Sequence, residues 1–585
     1  MKDILTVMLI LLLTSISGLI SLGSLLCAQE LKGEWIVTGV EVVENEMIVL
    51  SGNLTVKSSS SLTLRNVTLA LNVEENGQYG ISVETGGSMF IYDSNISSFT
   101  AFRFFFSVVE GKFVMKNSEL RDAGWGEQFG WAEDVKKRGL YIQSDNALID
   151  GNFISDSHSV TLHDSHNSSV INNRLMNDYG INVDHSHHNF VLNNTVYEPG
   201  GTGIGIGGYD NVISGNVILN ASCDGIAASE TWNNTITNNS IIFRQTSGID
   251  HGIWLWNGVN NNTIANNTIQ NFITTVSGGG STMVGIEVVR SINNRIEGNS
   301  IEGFHQGVIL SYSHSNLVAN NIISNISQGV AGTYCMYIPS LDAIQLYHSS
   351  SNVVINNGIS SVQSNGILLW DNASNNILQA NVINSSYYGI SLHYSSDNNT
   401  IVNNALSGIR SRAIILDESN GNIIYHNNFL VPVVDAYDSG LNHWDLGEQG
   451  NYWGDYEGQD MDGNGIGDSP RGIPPNGTDN SPLMNPTPVV FVPTPYLEPD
   501  EKPEKLGEGF LITTEETWEN RMITSGGIEV RKGATLTLKN VTLMMWGWWG
   551  IFVEGSMYIY NSTIQRSIQS MVDTLSSSRT PKSSQ

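Results

Sequence analysis

Between Gly139 and Phe429 the chain alternates apolar and polar residues in short runs that recur. Gly180-Ile-Asn-Val leads to Asn193-Asn194-Thr-Val, Gly252-Ile-Trp-Leu to Asn266-Asn267-Thr-Ile, and Gly389-Ile-Ser-Leu to Asn403-Asn404-Ala-Leu. Every second residue of a run is Ile, Val or Leu, the pattern of a strand with one buried face. No apolar stripe of helical spacing survives the Asn and Gly between the runs. From the Gly to the last Asn the distance is 14 residues for Gly180 to Asn194, Gly225 to Asn239 and Gly285 to Asn299. The return to the next Gly ranges from 9 residues (Asn194 to Gly203) to 22 (Asn321 to Ala343, which takes the Gly position). One half of each repeat is rigid, and the other accepts insertions.

A repeat of about 22 residues cannot bury its apolar face alone, so successive repeats must stack as coils on a shared core. The predicted fold is all-β, a parallel β-helix. The paired Asn residues are expected to form a ladder, each amide bonding the next coil at the ~4.8 Å strand spacing. The recurrent Gly is expected to supply an unusual backbone angle at a corner.

The punctuation divides the chain. Residues 1–28 are expected to be a signal peptide or anchor, with the apolar run Ile4–Leu26 ending in Cys27-Ala28-Gln29. Leu26 is too large for a good lipoprotein cleavage site. Coils are expected over 29–432, a compact polar cap over 433–484, and a Pro-bearing spacer over 485–506. The chain then begins again: Leu62-Thr-Leu-Arg-Asn66-Val-Thr-Leu69 reappears as Leu536-Thr-Leu-Lys-Asn540-Val-Thr-Leu543. Residues 507–570 therefore read as a second, truncated β-helix start, followed by a polar tail over 571–585.

Composition narrows the role. Of 585 residues, 27 are Lys or Arg and 56 Asp or Glu, a net charge of -29. That excludes the basic stripe a nucleic-acid binder needs, and suits an extracellular surface or cation binding. Asn-x-Ser/Thr sequons such as Asn66, Asn95, Asn193, Asn266, Asn398 and Asn540 agree with export as a glycoprotein. Beyond the leader only Cys223 and Cys335 remain. About four coils separate them, roughly 19 Å at the strand spacing, so they are read as unpaired.

Three groups carry candidate chemistry. Asp460-x-Asp462-Gly-Asn464-Gly-Ile466-Gly-Asp468 matches the first nine positions of a calcium loop, with the Ile466 carbonyl at position 7. Position 12 is Arg471 instead of Glu, so Asp455, Glu457 or Asp479 would have to complete the shell around Ca2+. Aligning coils on their Gly brings outward residues into one column: His163/Asp164, Asp184/His185, Ser229/Glu230, Trp256/Asn257, Val289/Arg290, Tyr347/His348, Trp370/Asp371, His393/Tyr394 and Asp417/Glu418. Trp254 lies on the same face. Rings, imidazoles and acids in a row suit a glycan, so Trp254, Trp256, Tyr347, His348, Trp370, Asp371 and His393 are candidate ligand contacts; the alternative is an ordinary outer face with scattered aromatics. Finally, His163, Asp164, Asp184 and His185 on consecutive coils offer a general acid and base, a transition-metal site, or plain solvated turns. Arg174 alone is a cation near them, which weakens a lyase reading.

The coils over roughly 139–430 resemble right-handed parallel β-helix proteins of the NosD-like group with carbohydrate-binding-and-hydrolase-type repeats. Asn427-Asn-Phe429, Asn442-His-Trp444, Gly450-Asn-Tyr-Trp-Gly-Asp-Tyr456 and Asp479-Asn-Ser-Pro-Leu483 are similar to the end module of archaeal members. The resemblance implies export and a carbohydrate or cell-surface role. The family name also implies copper-related periplasmic maturation, but the sequence holds no Met- or Cys-rich cluster. The expected function is therefore a secreted or cell-surface, calcium-stabilised, glycan-binding β-helix. The alternatives are a polysaccharide lyase, epimerase or hydrolase using the 163–188 cluster, and a copper-handling protein. No organic cofactor is evident.

Overall fold

A computed structural model describes residues 28–125, 137–177, 179–244, 251–272, 283–327, 341–430 and 435–489, positions 134 and 491, and much of 510–566. The apolar run Ile4–Leu26, read as a leader, and Cys335 lie outside the described residues. Among the described residues there is no α-helix. The chain is a right-handed parallel β-solenoid. It divides into two compact units, 1–494 and 495–585.

Each coil of the first unit carries three short strands. In the coil of Gly180 they are Ile181–Asp184, Phe190–Leu192 and Thr195–Tyr197. Each pairs in parallel with its counterpart one coil on, Ile181 with Ile204, Phe190 with Val212 and Thr195 with Val217. Three long parallel sheets result, called here sheets 1, 2 and 3 in chain order. Inward positions stack Ile181, Val183, Val191 and Val196 on their equivalents in a continuous, fully buried core. Each such side chain contributes about 1.5–3 kcal/mol, so the core holds the coils together and no single coil stands alone.

The Asn residues do two jobs. In each pair the first, such as Asn193, Asn266 or Asn403, turns the chain with φ of 55°, 54° and 55°, a left-handed conformation Asn tolerates better than most residues. The second is a fully buried rung. Asn299 donates to the Ile264 carbonyl (2.8 Å) and to Asn321 Oδ1 (3.0 Å), and accepts from the backbone N–H and side chain of Asn267 (2.9 and 3.0 Å). This ladder runs from Asn152 to Asn451 along the corner between sheets 2 and 3. A second ladder, from Asn189 to Asn442, fills the corner between sheets 1 and 2.

The structure corrects the role of most of the recurrent Gly residues. Gly203, Gly225, Gly252, Gly285, Gly307, Gly366 and Gly389 have no positive φ. They are small because the coils meet there: a Cβ on Gly252 would run into the Ile269 side chain and the Gly285 carbonyl. At these seven positions side-chain volume, not backbone freedom, requires glycine, whereas Gly139 and Gly180, at φ 83° and 75°, do supply the expected backbone angle.

The coils also run past 432. Asp435–Asp438 joins sheet 1, Tyr452–Trp453 joins sheet 3, and His443 bridges to Ile423 in sheet 2. The segment read as a separate cap thus begins as one more coil. Trp444 and Trp453 then close the core; their Nε1 atoms donate to Asp438 Oδ2 (2.6 Å) and Asp479 Oδ2 (2.8 Å). Asp479 takes the place of the next Asn, accepting from the Asn451 N–H, so the ladder ends on a carboxylate.

The second unit repeats the start of the first. Its strands form three parallel three-stranded sheets. Thr535–Lys539 and Thr542–Met545 sit in the same order as Ser61–Arg65 and Thr68–Leu71, over a core including Trp518, Ile528, Val530, Leu536 and Leu538.

Candidate functional site

The predicted column is real, and strand register builds it. Along sheet 1, Ser229, Trp256, Val289, Ser311, Tyr347, Trp370, His393 and Asp417 are paired one to the next. His163 pairs with Asp184 in the same way. The next residue of each coil turns left-handed even where it is bulky: His185 at φ 48°, Arg290 at 50°, Tyr312 at 51°, His348 at 47° and Tyr394 at 51°. The chain bends there, so two adjacent side chains face outward at one corner and the column becomes a double row.

The predicted contacts separate into two patches. Tyr347, His348, Trp370, Asp371 and His393 come together and recruit Tyr312 and Tyr394. Tyr312 stacks on His348 (4.8 Å, 12°), Tyr394 meets Trp370 edge-on (4.8 Å), and Trp370 lies 5.4 Å from His393. Beside this patch is a groove of about 490 Å³, with Trp370, His393 and Asp417 on one side and Tyr388, Arg412 and Tyr437 toward the other. That volume lies in the range of ligand pockets. Leu368 and Ile415, both buried, line its floor, with the fully buried Ser391 in register between them. Ser391 donates to Asn365 Oδ1 (2.7 Å), whose amide donates to Asp342 Oδ1 (2.8 Å), so the floor is fixed by hydrogen bonds. Burial pushes the His393 imidazole below its usual value, opposed by Asp417, whose carboxylate lies 3.5 Å from Nδ1.

Trp254 and Trp256 form the second patch, three coils away along the column. Trp254 is held between His251 (5.1 Å, 8°) and Trp256 (5.7 Å, 26°), so both of its faces are covered. Only Trp256, 41% exposed, presents a free platform. The stack rests on a triad missing from the sequence reading. His251 Nδ1 meets Asp224 Oδ1 at 2.8 Å and its Nε2 meets Glu287 Oε2 at 2.8 Å, with side chains 14%, 3% and 21% exposed. Burial pushes this imidazole down, but hydrogen bonds to both carboxylates and their charges outweigh it and hold its pKa at about 9. With both nitrogens engaged, His251 is a fixed cation spanning three coils.

The four catalytic candidates also meet. Asp184 sits between two imidazoles, 2.6 Å from His163 Nδ1 and 2.9 Å from His185 Nδ1, and Asp164 lies 3.5 Å from His163 Nε2. Ligand atoms of His163, Asp184 and His185 all lie within 4.8 Å of one another. On the next corner His166 stacks on His187 (3.5 Å), His187 on Tyr209 (4.6 Å) and Tyr209 on Trp232 (5.0 Å). Imidazoles read as turn residues therefore belong to a coil-to-coil ladder of rings.

In the 460–468 loop, Asp460 accepts from the N–H groups of Gly463, Asn464 and Gly465, Asp462 from that of Asn464, and Asp468 from that of Met461. These donors, Gly465 first, hold the exposed Asp460 carboxyl below its ordinary value. The Asn464 side chain caps the Ile466 N–H. Two proposed completing ligands are committed elsewhere, Asp455 to Arg471 (3.0 Å) and Asp479 to Trp453, which leaves Glu457.

Among curated proteins none matches this sequence. Solved structures that it resembles include the mannuronan C-5 epimerase AlgE6 A-module of Azotobacter vinelandii (16% identity, 64% of this chain and 90% of that one, TM-score 0.28). Others are PfbA, a surface adhesin of Streptococcus pneumoniae (13%, 64% and 85%, 0.29), and the tailspike of E. coli bacteriophage HK620 in complex with a pentasaccharide (11%, 67% and 72%, 0.34). At such identities and scores nothing about activity follows. A family model described as "periplasmic copper-binding protein (NosD)" matches residues 132–284 and 272–458, more than half of the chain. With its right-handed parallel coils and its Asn ladders, the chain belongs to the NosD family.

Proposed function

We propose that this is an exported β-helix protein that binds carbohydrate along the outer corner of sheet 1, centred on the groove between Trp370 and Arg412. The observation that carries the reading is the double row Tyr312, Tyr347, His348, Trp370, His393 and Tyr394 bordering a groove whose floor is pinned by buried hydrogen bonds. Rings take the apolar faces of sugars, while the imidazole and carboxylate take hydroxyls. The periplasmic description of the family and the apolar leader run support export. Trp370→Ala is expected to weaken binding to the best ligand of a polysaccharide panel by about 30-fold or more, the effect of losing an aromatic anchor. Melting should barely change. Undiminished binding by calorimetry would remove the groove from the site. Product release in the same panel, abolished by His163→Ala and His185→Ala, would replace binding alone with catalysis.

Two ions extend this reading. Calcium at Asp460, Asp462, Asn464, Ile466 and Asp468 would pin the polar segment that follows the last coil, and the spacing of the oxygens supports it. The arrangement of His163, Asp184 and His185 supports a transition metal: two imidazole nitrogens and a carboxylate suit copper(II) or zinc, not the soft ligand set copper(I) prefers. One titration of metal-free protein tests both. Ca2+ should raise the melting temperature in wild type but not in Asp462→Ala, and Cu2+ should bind wild type but not the His163→Ala/His185→Ala protein. Identical traces in wild type and variant would dismiss the ion concerned.

A further inference from the structure

We propose that the groove is a subsite for a carboxylated sugar, a uronate unit within a glycan chain, and that Arg412 is the residue that selects it. This rests on the carbohydrate reading and names its substrate class.

The groove is electrically asymmetric. Tyr388 and Arg412 stand at equivalent positions of neighbouring coils, two residues before Ile390 and Ile414, which pair. Trp370, His393 and Asp417 stand in register at the opposite end. From Arg412 to Asp417 the strand advances five residues, about 16 Å between Cα atoms. The long side chains narrow that gap from both ends, and Leu368 and Ile415 form the floor midway. A single sugar ring would lie over Leu368 and Ile415 with one edge toward Arg412 and the other toward His393 and Asp417.

Among the described residues Arg412 is the one Lys or Arg lining the groove. Its Nε donates to Asp435 Oδ2 (3.2 Å), and its guanidinium carbon lies 4.9 Å over the Tyr437 ring. These contacts fix the plane of the guanidinium, and among the described residues its terminal nitrogens make no hydrogen bond. A planar pair of N–H donors held in place matches a carboxylate, which takes both at once. A neutral sugar has no group that requires this fork. At the far end the Asp417 carboxylate accepts hydroxyl donors, and the His393 imidazole, kept neutral by burial, can donate or accept. Acid at one end and cation at the other match a ring with hydroxyls on one edge and a carboxylate on the other. The net charge of -29 opposes a polyanion at long range, but salt screens that field beyond about 8 Å, so the contact in the groove decides.

The test uses the full chain and paired probes: oligomers of galacturonate, mannuronate and glucuronate, each beside its carboxyl-reduced counterpart. Wild type should bind at least one uronate oligomer about tenfold or more tighter than the reduced form, the usual worth of a charge-assisted bond. Arg412→Gln should abolish that preference with an unchanged melting temperature, and Arg412→Lys should restore part of it. Equal affinity for a uronate oligomer and its reduced form, or a preference that survives Arg412→Gln, overturns the assignment and leaves the carbohydrate reading standing. If wild type binds neither form, nor any neutral polysaccharide, both fall together.

Discussion

Replacing Asn299 by Ala is expected to destabilise the first unit by roughly 3 kcal/mol or more. The side chain is fully buried and takes part in four hydrogen bonds, two donated and two accepted. Removing it strands the Asn267 N–H and one of its side-chain protons inside the corner, where water cannot replace the lost oxygen. The effect should read as a lower urea midpoint with an unchanged slope. Asn266, the first of its pair, turns the chain at a half-buried position with φ of 54°, a conformation glycine adopts freely, so Asn266→Gly should shift the midpoint far less. Equal shifts for the two would mean the ladder adds nothing beyond the turn.

The second large effect is a pH dependence set by the Asp224–His251–Glu287 triad. The folded-state pKa of about 9 stands above the ~6.5 of an unfolded imidazole. A raised pKa means the folded state holds the proton more tightly. The triad's contribution is therefore complete below about pH 6.5, declines as pH rises toward 9, and is gone above it. A shift of that size corresponds to about 3 kcal/mol. His251→Gln should be several kcal/mol less stable than wild type at pH 6, because it leaves two carboxylates enclosed without their cation. The gap between the two proteins should narrow steadily up to pH 9. A gap that stays constant from pH 6 to 9 would show that His251 is not held as an imidazolium.

The fold was legible because a period in sequence becomes a register in space. Once Gly180, Gly252 and Gly389 are aligned, strand, corner and outward column follow. The failures have physical causes. Asp224, His251, Asn365, Tyr388 and Arg412 each stand one residue before the Gly position (Ala413 for Arg412), so the same register aligns them, but the column was drawn only from outward positions after the Gly. Glu287 and Tyr437 lie in the aligned half, yet they look like any outward residue until Trp254 or Arg412 is placed beside them. Trp254 was assigned to ligand contact because sequence gives a face but not what covers it. The boundary at 432 followed the loss of the Gly-Ile motif, whereas Ala436 still packs inward and carries sheet 1 one coil further. The likeness of Leu536–Leu543 to Leu62–Leu69 did predict the second unit's strands.

The fixed half-coil has a consequence for how such a surface can change. Each coil advances the outer corner by one strand spacing, about 4.8 Å, and returns it to the same heading. Gain or loss of a whole coil would move every downstream ring and charge by that step without turning it away from its neighbours. Distances between subsites on this face are therefore quantised. On the proposed carbohydrate-binding reading, affinity for a polymer of given repeat would be adjusted by counting coils, and the chemistry of each step by exchanging the two residues at its corner.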